Sequence, residues 1–577
     1  MYKNKKGIVL IISIAVMAIV LVLVAAYFSN LLTEKRAADT EKFVLQRLNL
    51  AEAGASHALA ELNKRITSGT DSTQNPPRIL GLKGRVENEK QSSTFMSYVT
   101  ANNSLGFLHD FAYGQGETQF SVASGIARLT VASSSLYADN RYNYSATIMV
   151  EANGVPESPS SDVYVFPFKY KIDSQGTING VLAAKSIGLL QGEFTVTVRR
   201  DNFAKYALFT SHHNTPSGGT VWFTEMTNFT GPVHTNDRFN FANSPSAHFT
   251  DEVTQHQNKA GFYNNGWSRL LNADSNPPYD VPVFDAGFQR GYDEITLPST
   301  VSQADLKKEA MGRTTDTFAN GIHVPNDGTN VTGGIYIKGN SGQSSDDPTI
   351  LMQTATDGPV YRIKQGSGVE TVITVNLTNS TTTVGTQTYQ GIPDGTTQTG
   401  GILIYTNDNL GNSSFGGISG VVQRDTSVTI SSEKDIVIKD HLTYEVDPNT
   451  PGNENVDNLL GVLSWGGDVR IGPSAPNNIN INAVVMAPHG EFTVDNYATR
   501  APSGVVNLFG GAITDFYGAF GRFSGTNLIS GYGRNFVYDE RMLAGKAPPY
   551  FPYMANFTSI ITPQDSFLSR KLIWQDK

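Results

Sequence analysis

From Ile8 to Phe28 the chain runs IVLIISIAVMAIVLVLVAAYF without a charge, behind a start that carries Lys3, Lys5 and Lys6. At about 1.5 Å per residue such a helix reaches roughly 30 Å, enough to cross the hydrocarbon core of a bilayer. The core helix of a soluble domain is seldom so long and so uniformly apolar. A secretory signal also starts basic and ends on small residues, here Ala25 and Ala26, but its apolar run is shorter. Lys6 abuts the run whereas the next positive charge beyond Phe28 is Lys35, so the N-terminus is expected inside and the body on the other side.

The helix is expected to continue past the span. Val44, Leu48, Ala51, Ala55, Leu59, Leu62 and Ile66 recur at steps of three or four, with Glu41, Lys42, Arg47, Asn49, Glu52, Glu61 and Lys64 on the other positions; one face is apolar, and Ser68-Gly69 supplies a stop. A helix that is apolar all round and then amphipathic can be anchored at one end and packed at the other.

These residues resemble the type IV pilin-like proteins, particularly the PilX-type minor pilins. The resemblance rests on the short basic leader ending in Lys6-Gly7, the apolar helix from Ile8, and the stretch Leu50-Ala-Glu-Ala-Gly-Ala-Ser-His-Ala-Leu-Ala-Glu-Leu62, and it covers about the first 66 residues. It implies that a prepilin peptidase cuts between Gly7 and Ile8 and methylates the new N-terminus. It also implies partners: the membrane through the helix, other pilin-like subunits and the pilus assembly machinery. The family carries a glutamate five residues into the mature chain, thought to neutralise a neighbour's N-terminus; Ile12 stands there in this chain, which points to a minor or tip-like subunit rather than a bulk one.

Beyond residue 66 the composition favours strands and turns. Of 577 residues, 39% are hydrophobic and 16% charged, so the chain can bury a sizeable core, and its 55 glycines with many Ser, Thr and Asn favour turns over helices. We expect a linker over residues 67–91, a small β-rich domain over 92–206 and a larger β body over 207–553, with 554–577 as a tail. The small domain is read from Tyr144–Val150, Val163–Ile172 and Glu193–Val198. In the body, short apolar pieces such as Gly333–Ile337, Gly401–Tyr405, Val428–Ile430, Gly461–Ser464, Asn480–Met486 and Val505–Ile513 alternate with Gly, Asn and Asp. Strands this short bury a face only when stacked, so the fold class expected is mainly β, with a large parallel β-helix, or alternatively an irregular β-sandwich. Insertions are expected at Pro245 to Thr296 and Gly339 to Gln398. The stretch Leu442–Glu445 through Gly461–Ile471, with Tyr538–Leu543 and Ala547–Pro552, resembles an uncharacterised bacterial domain found behind PilX-type N-termini; the resemblance implies an extracytoplasmic role and no mechanism.

Chemistry is sparse. The chain has no cysteine, which removes disulfides, thiolate metal sites and cysteine nucleophiles. A net charge of -9 with no basic patch beyond the N-terminus argues against nucleic acid. His212-His213 could not share a metal from a regular strand, where neighbours face opposite sides, and reads as a loop pair. His234, His248 and His256 with Asp237, Asp251 and Glu252 have the composition of a metal site but no defined ligand spacing, so a hydrogen-bonded loop is the plainer reading. His489-Gly-Glu491 lacks the cysteines a zinc deaminase needs. Gly416-Gly417 and Gly466-Gly467 lack the Lys-Ser/Thr of a P-loop, and Asn326-Asp-Gly328 and Asn407-Asp-Asn409 lack an EF-hand's spacing.

The enzymatic rival comes from architecture: β-helices often act on polysaccharides with carboxylates far apart in sequence, and Asp425, Asp435, Asp440, Asp468 and Asp495 are available. Trp465, Phe516, Tyr517, Phe520, Phe523 and Tyr532 either fill a core or stack on a ligand. No cofactor, metal or catalytic residue is expected. The function expected is that of a minor pilin-like structural, assembly or binding component of a type IV pilus or secretion pseudopilus. It would sit in a bacterial inner membrane with the body periplasmic or at the surface, or be built into a pilus. The alternative is a membrane-anchored β-helical adhesin or polysaccharide-active protein, with a surface or carbohydrate ligand.

Overall fold

The structure is a computed structural model that describes residues 5–67, 70–71, 78–79, 97, 99, 101–112, 118–133, 142–160, 163–178, 186–224, 227–242, 247–264, 267–272, 282–339, 343–453, 456–524, 527–563 and 573–576. Most of the linker expected at 67–91 lies outside these. The chain divides into two units, residues 1–200 with 556–577, and residues 201–555. The boundary thus falls a few residues before the one expected at 206, and the C-terminal residues belong to the first unit rather than to a tail.

Unit 1 opens with α1 (Lys5–Thr67), a single helix of 63 residues and so about 95 Å long. It starts inside the basic leader, ahead of Ile8. Its antiparallel sheet runs β1 (Phe120–Ala123), β2 (Ile126–Ala132), β3 (Tyr142–Ala152), β4 (Val163–Ile178) and β5 (Ser186–Asn202), each paired with the next. Ile573–Asp576 adds to β5, also antiparallel, which is why the C-terminus is part of this unit.

Alternation sets the two sides of the sheet. Along β4, Phe166, Phe168, Tyr170 and Ile172 are buried while Lys169 and Lys171 between them are exposed. On the apolar side lie Phe107, Phe111 and Phe194, with the rings of Phe168 and Phe194 stacked at 5.4 Å. The C-terminal part of α1 covers β3 and β4, burying Ala51, Ala55, Ala58, Leu62 and Ile66. Close approach depends on two glycines. A Cβ on Gly176 of β4 would overlap the Arg47 carbonyl, and one on Gly54 of α1 would meet Ser174 and Tyr144. Tyr144 Oη and His57 Nδ1 join strand to helix at 2.9 Å, and Arg65 Nη1 donates to the Phe111 carbonyl at 2.8 Å.

Unit 2 is built on parallel pairing. Its strands are β6 (Leu208–His212), β7 (Val233–Thr235), β8 (Val253–Gln255), β9 (Phe288–Arg290), β10 (Ile335–Lys338), β11 (Ile402–Thr406), β12 (Ser427–Ser432), β13 (Leu459–Ser464), β14 (Asn480–Val494) and β15 (Val505–Phe516). In space they follow the order β9-β8-β7-β6-β15-β14-β13-β12-β11-β10, all parallel. The first strand of the unit therefore pairs with the last of the series: Leu208 lies opposite Ala512, Phe209 opposite Ile513 and Thr210 opposite Thr514.

Other parallel ladders accompany this one. One joins Gly417–Val422, Ile436–Tyr444, Val469–Ile471 and the end of β14; another joins Asn228–Phe229, His248–Phe249 and Val283–Phe284. β11 and β13 are buried at every residue because both sides are covered, which explains their unbroken apolar sequences. One cover is α2 (Thr300–Met311), held against β10 and β11 through buried Leu306, Ala310 and Met311.

Residues 348–390 fold as an antiparallel meander joined to the parallel ladder through Pro348–Gln353, as an insertion there would. The other expected insertion, 245–296, is different. It holds β8 and β9 and shares the core through Phe249, Val253, Phe284 and Phe288. These strands are two or three residues long, too short to set up a readable period.

The core of unit 2 takes in two histidines. His213 is ringed by Phe223, Phe239 and Tyr517, and burial, aided by the Arg534 charge, lowers it to about 3. His234 bonds Thr254 Oγ1 through Nδ1 (2.8 Å) and Asn236 Oδ1 through Nε2 (3.0 Å), and burial lowers it to about 4.

Gly176→Val pushes α1 off the sheet and lowers the stability of unit 1 by about 1–3 kcal/mol, whereas Lys169→Gln on the solvent side changes it by less than about 0.5 kcal/mol; urea unfolding followed by near-ultraviolet dichroism reads both. The two core histidines stay neutral in the native state while the unfolded chain takes up protons below about 6.5. Their contribution is thus full above that pH and falls as the pH drops towards about 4 and then about 3. His234→Gln is expected to flatten the pH dependence of the melting temperature between about 6.5 and 4 relative to the parent chain.

Candidate functional site

Every residue of α1 from 8 to 42 is exposed, and burial begins only at Phe43 and Val44. Ile8 is 58% exposed, Leu21 68% and Phe28 59%. Each of these side chains is worth roughly 1.5–3 kcal/mol on leaving water, so the apolar segment together holds tens of kcal/mol, more than the roughly 5–15 kcal/mol that stabilises a domain. Such a surface has to be covered by lipid or protein. By length and composition this helix can cross a membrane.

Within it, Gly7 and Ile8 lie on continuous helix, and Ser13 Oγ folds back onto the Val9 carbonyl at 2.7 Å. Ile12, where the pilin-like pattern has a glutamate, shares a largely apolar strip with Val9, Val16, Met17 and Val20, in which Ser13 is the one polar side chain. Between the span and the packed part, residues 29–42 carry Glu34, Lys35, Arg36, Asp39, Glu41 and Lys42 on an exposed helix.

The histidines singled out in the sequence go to separate partners. His212 is the last residue of β6, not part of a loop; it faces outward to Asp515 at 2.8 Å and stacks on Phe516, while His213 turns into the core. His248 bonds Asp285 Oδ2 (2.7 Å) and His256 the Tyr292 carbonyl (2.8 Å), while the buried His234 meets the Tyr292 ring edge-on. Among the described residues, no group of three or more His, Asp or Glu is placed to hold a metal. Asn326-Asp-Gly328 is a turn in which the Gly328 amide donates to Asn326 Oδ1, with Gly328 at φ 94°. Gly416 and Gly417 also take positive φ. Trp465, Tyr517, Phe520 and Tyr532 are core residues, with Trp465 Nε1 donating to Ser431 Oγ, whereas Phe523 is 43% exposed.

The carboxylates divide. Asp425 lies at a turn beside Arg424, and Asp440 accepts from the His441 amide. Asp435 and Asp468 instead belong to a ladder at equivalent turns. The Asp435 amide donates to Asn409 Oδ1 (3.3 Å), the Asp468 amide to Asp435 Oδ1 (2.9 Å) and the Glu491 amide to Asp468 Oδ1 (2.9 Å). Arg470 bridges Asp435 (3.0 Å) and Asp495 (3.1 Å). Burial first, then the Asp468 charge, raises Glu491 to about 7, and burial raises Asp468 as well. A carboxyl raised to near neutrality holds a proton that it can donate, while Asp435 and Asp468 each accept the amide of the next turn. Glu491 escaped the sequence reading because it was weighed only with His489, which bonds the Trp465 carbonyl instead.

A family model described as a domain of unknown function (DUF4900) matches residues 163–257, from β4 and β5 of unit 1 into the first parallel strands of unit 2. No curated protein and no solved structure matches the chain.

Proposed function

We propose that the chain is a minor pilin-like structural or assembly component of a type IV pilus or a related secretion pseudopilus, with α1 as its assembly element and the β-rich body outside the cytoplasm. The observation that carries this reading is the division of α1, exposed and apolar over residues 8–28 and packed on an antiparallel sheet from residue 43 onward. A helix so divided inserts one end into a bilayer or a helix bundle and presents a folded head on the other. In this reading a prepilin peptidase cleaves between Gly7 and Ile8, and Ile12 leaves a neighbour's N-terminus without a counter-charge, which suits a minor subunit.

The same reading takes the parallel ladders of unit 2 as the sides of a parallel β-helix. Its support is that successive chain returns add strands in register to several ladders at once, as in Val428–Ile430 on Leu460–Val462 and Ile436–Ile438 on Val469–Ile471. A second reading, a membrane-anchored β-helical adhesin or polysaccharide-active protein, is favoured by the ladder of Asp435, Asp468 and Glu491, since pairs of carboxyl groups serve glycoside cleavage.

Mass spectrometry of the native protein extracted from membranes tests the first reading. It is expected to start at Ile8 with a methylated amine. A chain starting at Met1, or cut after Ala26, would falsify it. Release of reducing or unsaturated ends from a polysaccharide panel, abolished by Glu491→Gln, would establish the second.

A further inference from the structure

Gly533–Val537 pairs in parallel with β15, and the chain that follows does not add another strand. Residues 538–552 cross instead to distant parts of unit 2 and are fastened at three points. Tyr538 holds the start of the unit: its amide donates to Thr230 Oγ1 (3.0 Å) and its hydroxyl to the Lys205 carbonyl (2.8 Å), and its ring fills the space over Gly231, where a Cβ would not fit.

Asp539 and Arg541, 1% and 8% exposed, form a two-pronged ion pair at 2.9 and 2.6 Å. The guanidinium also donates to the carbonyls of Val456 (2.6 Å) and Asn458 (3.2 Å) and to Asn458 Oδ1 (3.1 Å), ahead of β13. Tyr550 marks the third point, donating to the Asp394 carbonyl at 2.5 Å and lying 2.7 Å from Thr397 Oγ1. Beside it the Pro549 carbonyl accepts from Thr429 of β12. The segment then returns to the beginning of the unit, where the carbonyls of Phe551 and Pro552 accept from Asn202 Nδ2 (2.8 Å) and the Phe203 amide (3.1 Å).

These fastenings lie on both sides of the β6–β15 pairing. Lys205 and Thr230 belong to the side of β6 and β7; Asn458, Thr429 and Asp394 belong to the side of β11 to β13. With no cysteine in the chain, the pairing has no covalent tie across it, and separating β6 from β15 requires the bonds of residues 538–552 on one side to break. We propose that residues 538–552 are a latch: they close over the unit after β15 has docked on β6, and their release is the step that permits that pairing to open. Arg541 makes the firmest of the three fastenings, because its guanidinium donates charge-assisted bonds to the Val456 and Asn458 carbonyls outside the segment, while Asp539 within the segment balances its charge. At the ends the Tyr538 hydroxyl contributes one neutral bond, and the Tyr550 hydroxyl bonds both the Asp394 carbonyl and Thr397 Oγ1.

Native-state hydrogen exchange with mass spectrometry on the full chain in detergent tests this. Amides of residues 538–552 and those pairing β15 with β6 are expected to open as one unit, ahead of β12 and β13. Tyr538→Phe, which keeps the ring over Gly231, is expected to speed exchange in both the segment and the β6–β15 pairing by about fivefold, and Arg541→Lys, which keeps the charge but loses bonds of the fork to Val456 and Asn458, by about thirtyfold, with β12 and β13 unchanged. If Tyr538→Phe speeds exchange in the segment but leaves β6 and β15 as they were, or if β6 and β15 open before the segment does, the latch is refuted.

Discussion

The pairing of β15 with β6 is the contact on which the β body depends. Most of a parallel stack is local, each strand resting on the one before. Here the series starts in the middle: β6 to β9 build outward in one direction, the chain leaves through α2, and β10 to β15 build back until β15 meets β6. Without that last pairing the two halves would each present an open edge lined with apolar residues, Phe209 on one side and Ile513 on the other. Such edges invite pairing with other chains. Closing a contact over some three hundred residues is also entropically slow. The first and last parts of unit 2 therefore need each other.

This explains what was legible in the sequence. The apolar run, its continuation as an amphipathic helix, and strands such as Val163–Ile172 and Gly461–Ser464 are local patterns, and they appear where the residues place them. The spatial order of the strands is not local. Nothing in Leu208–His212 announces that its neighbour is Ala512–Phe516. The strands at His248–Phe249 and Val283–Phe284 were hidden for a second reason: each contributes one phenylalanine to the core, and a single residue has no period. The C-terminal residues read as a tail because their partner, β5, lies far upstream.

The candidate site was legible to a similar degree. Ile8 and the span follow from composition alone, and the burial of α1 from Phe43 onward follows from spacing. The carboxylate ladder was half visible. Asp435 and Asp468 could be named, but their alignment with Asn409 and Glu491 depends on the register of the parallel strands. The buried state of His213 and His234 was out of reach because a histidine in a polar stretch and a histidine in a core have the same local sequence, and only the rings around them differ.

The two ends of the molecule pose one physical problem in two forms. The N-terminal half of α1 exposes more apolar surface than a folded domain can tolerate in water, and the head, without disulfides, must hold itself together by burial and pairing alone. A helix that inserts into a bilayer or a filament core solves the first, and a closed parallel stack solves the second. Immunogold labelling of sheared surface filaments with antibodies against unit 2 is the most direct test that α1 builds this head into a filament. The account predicts sparse gold on the filaments themselves. Label confined to membrane vesicles, with bare filaments beside them, would contradict it.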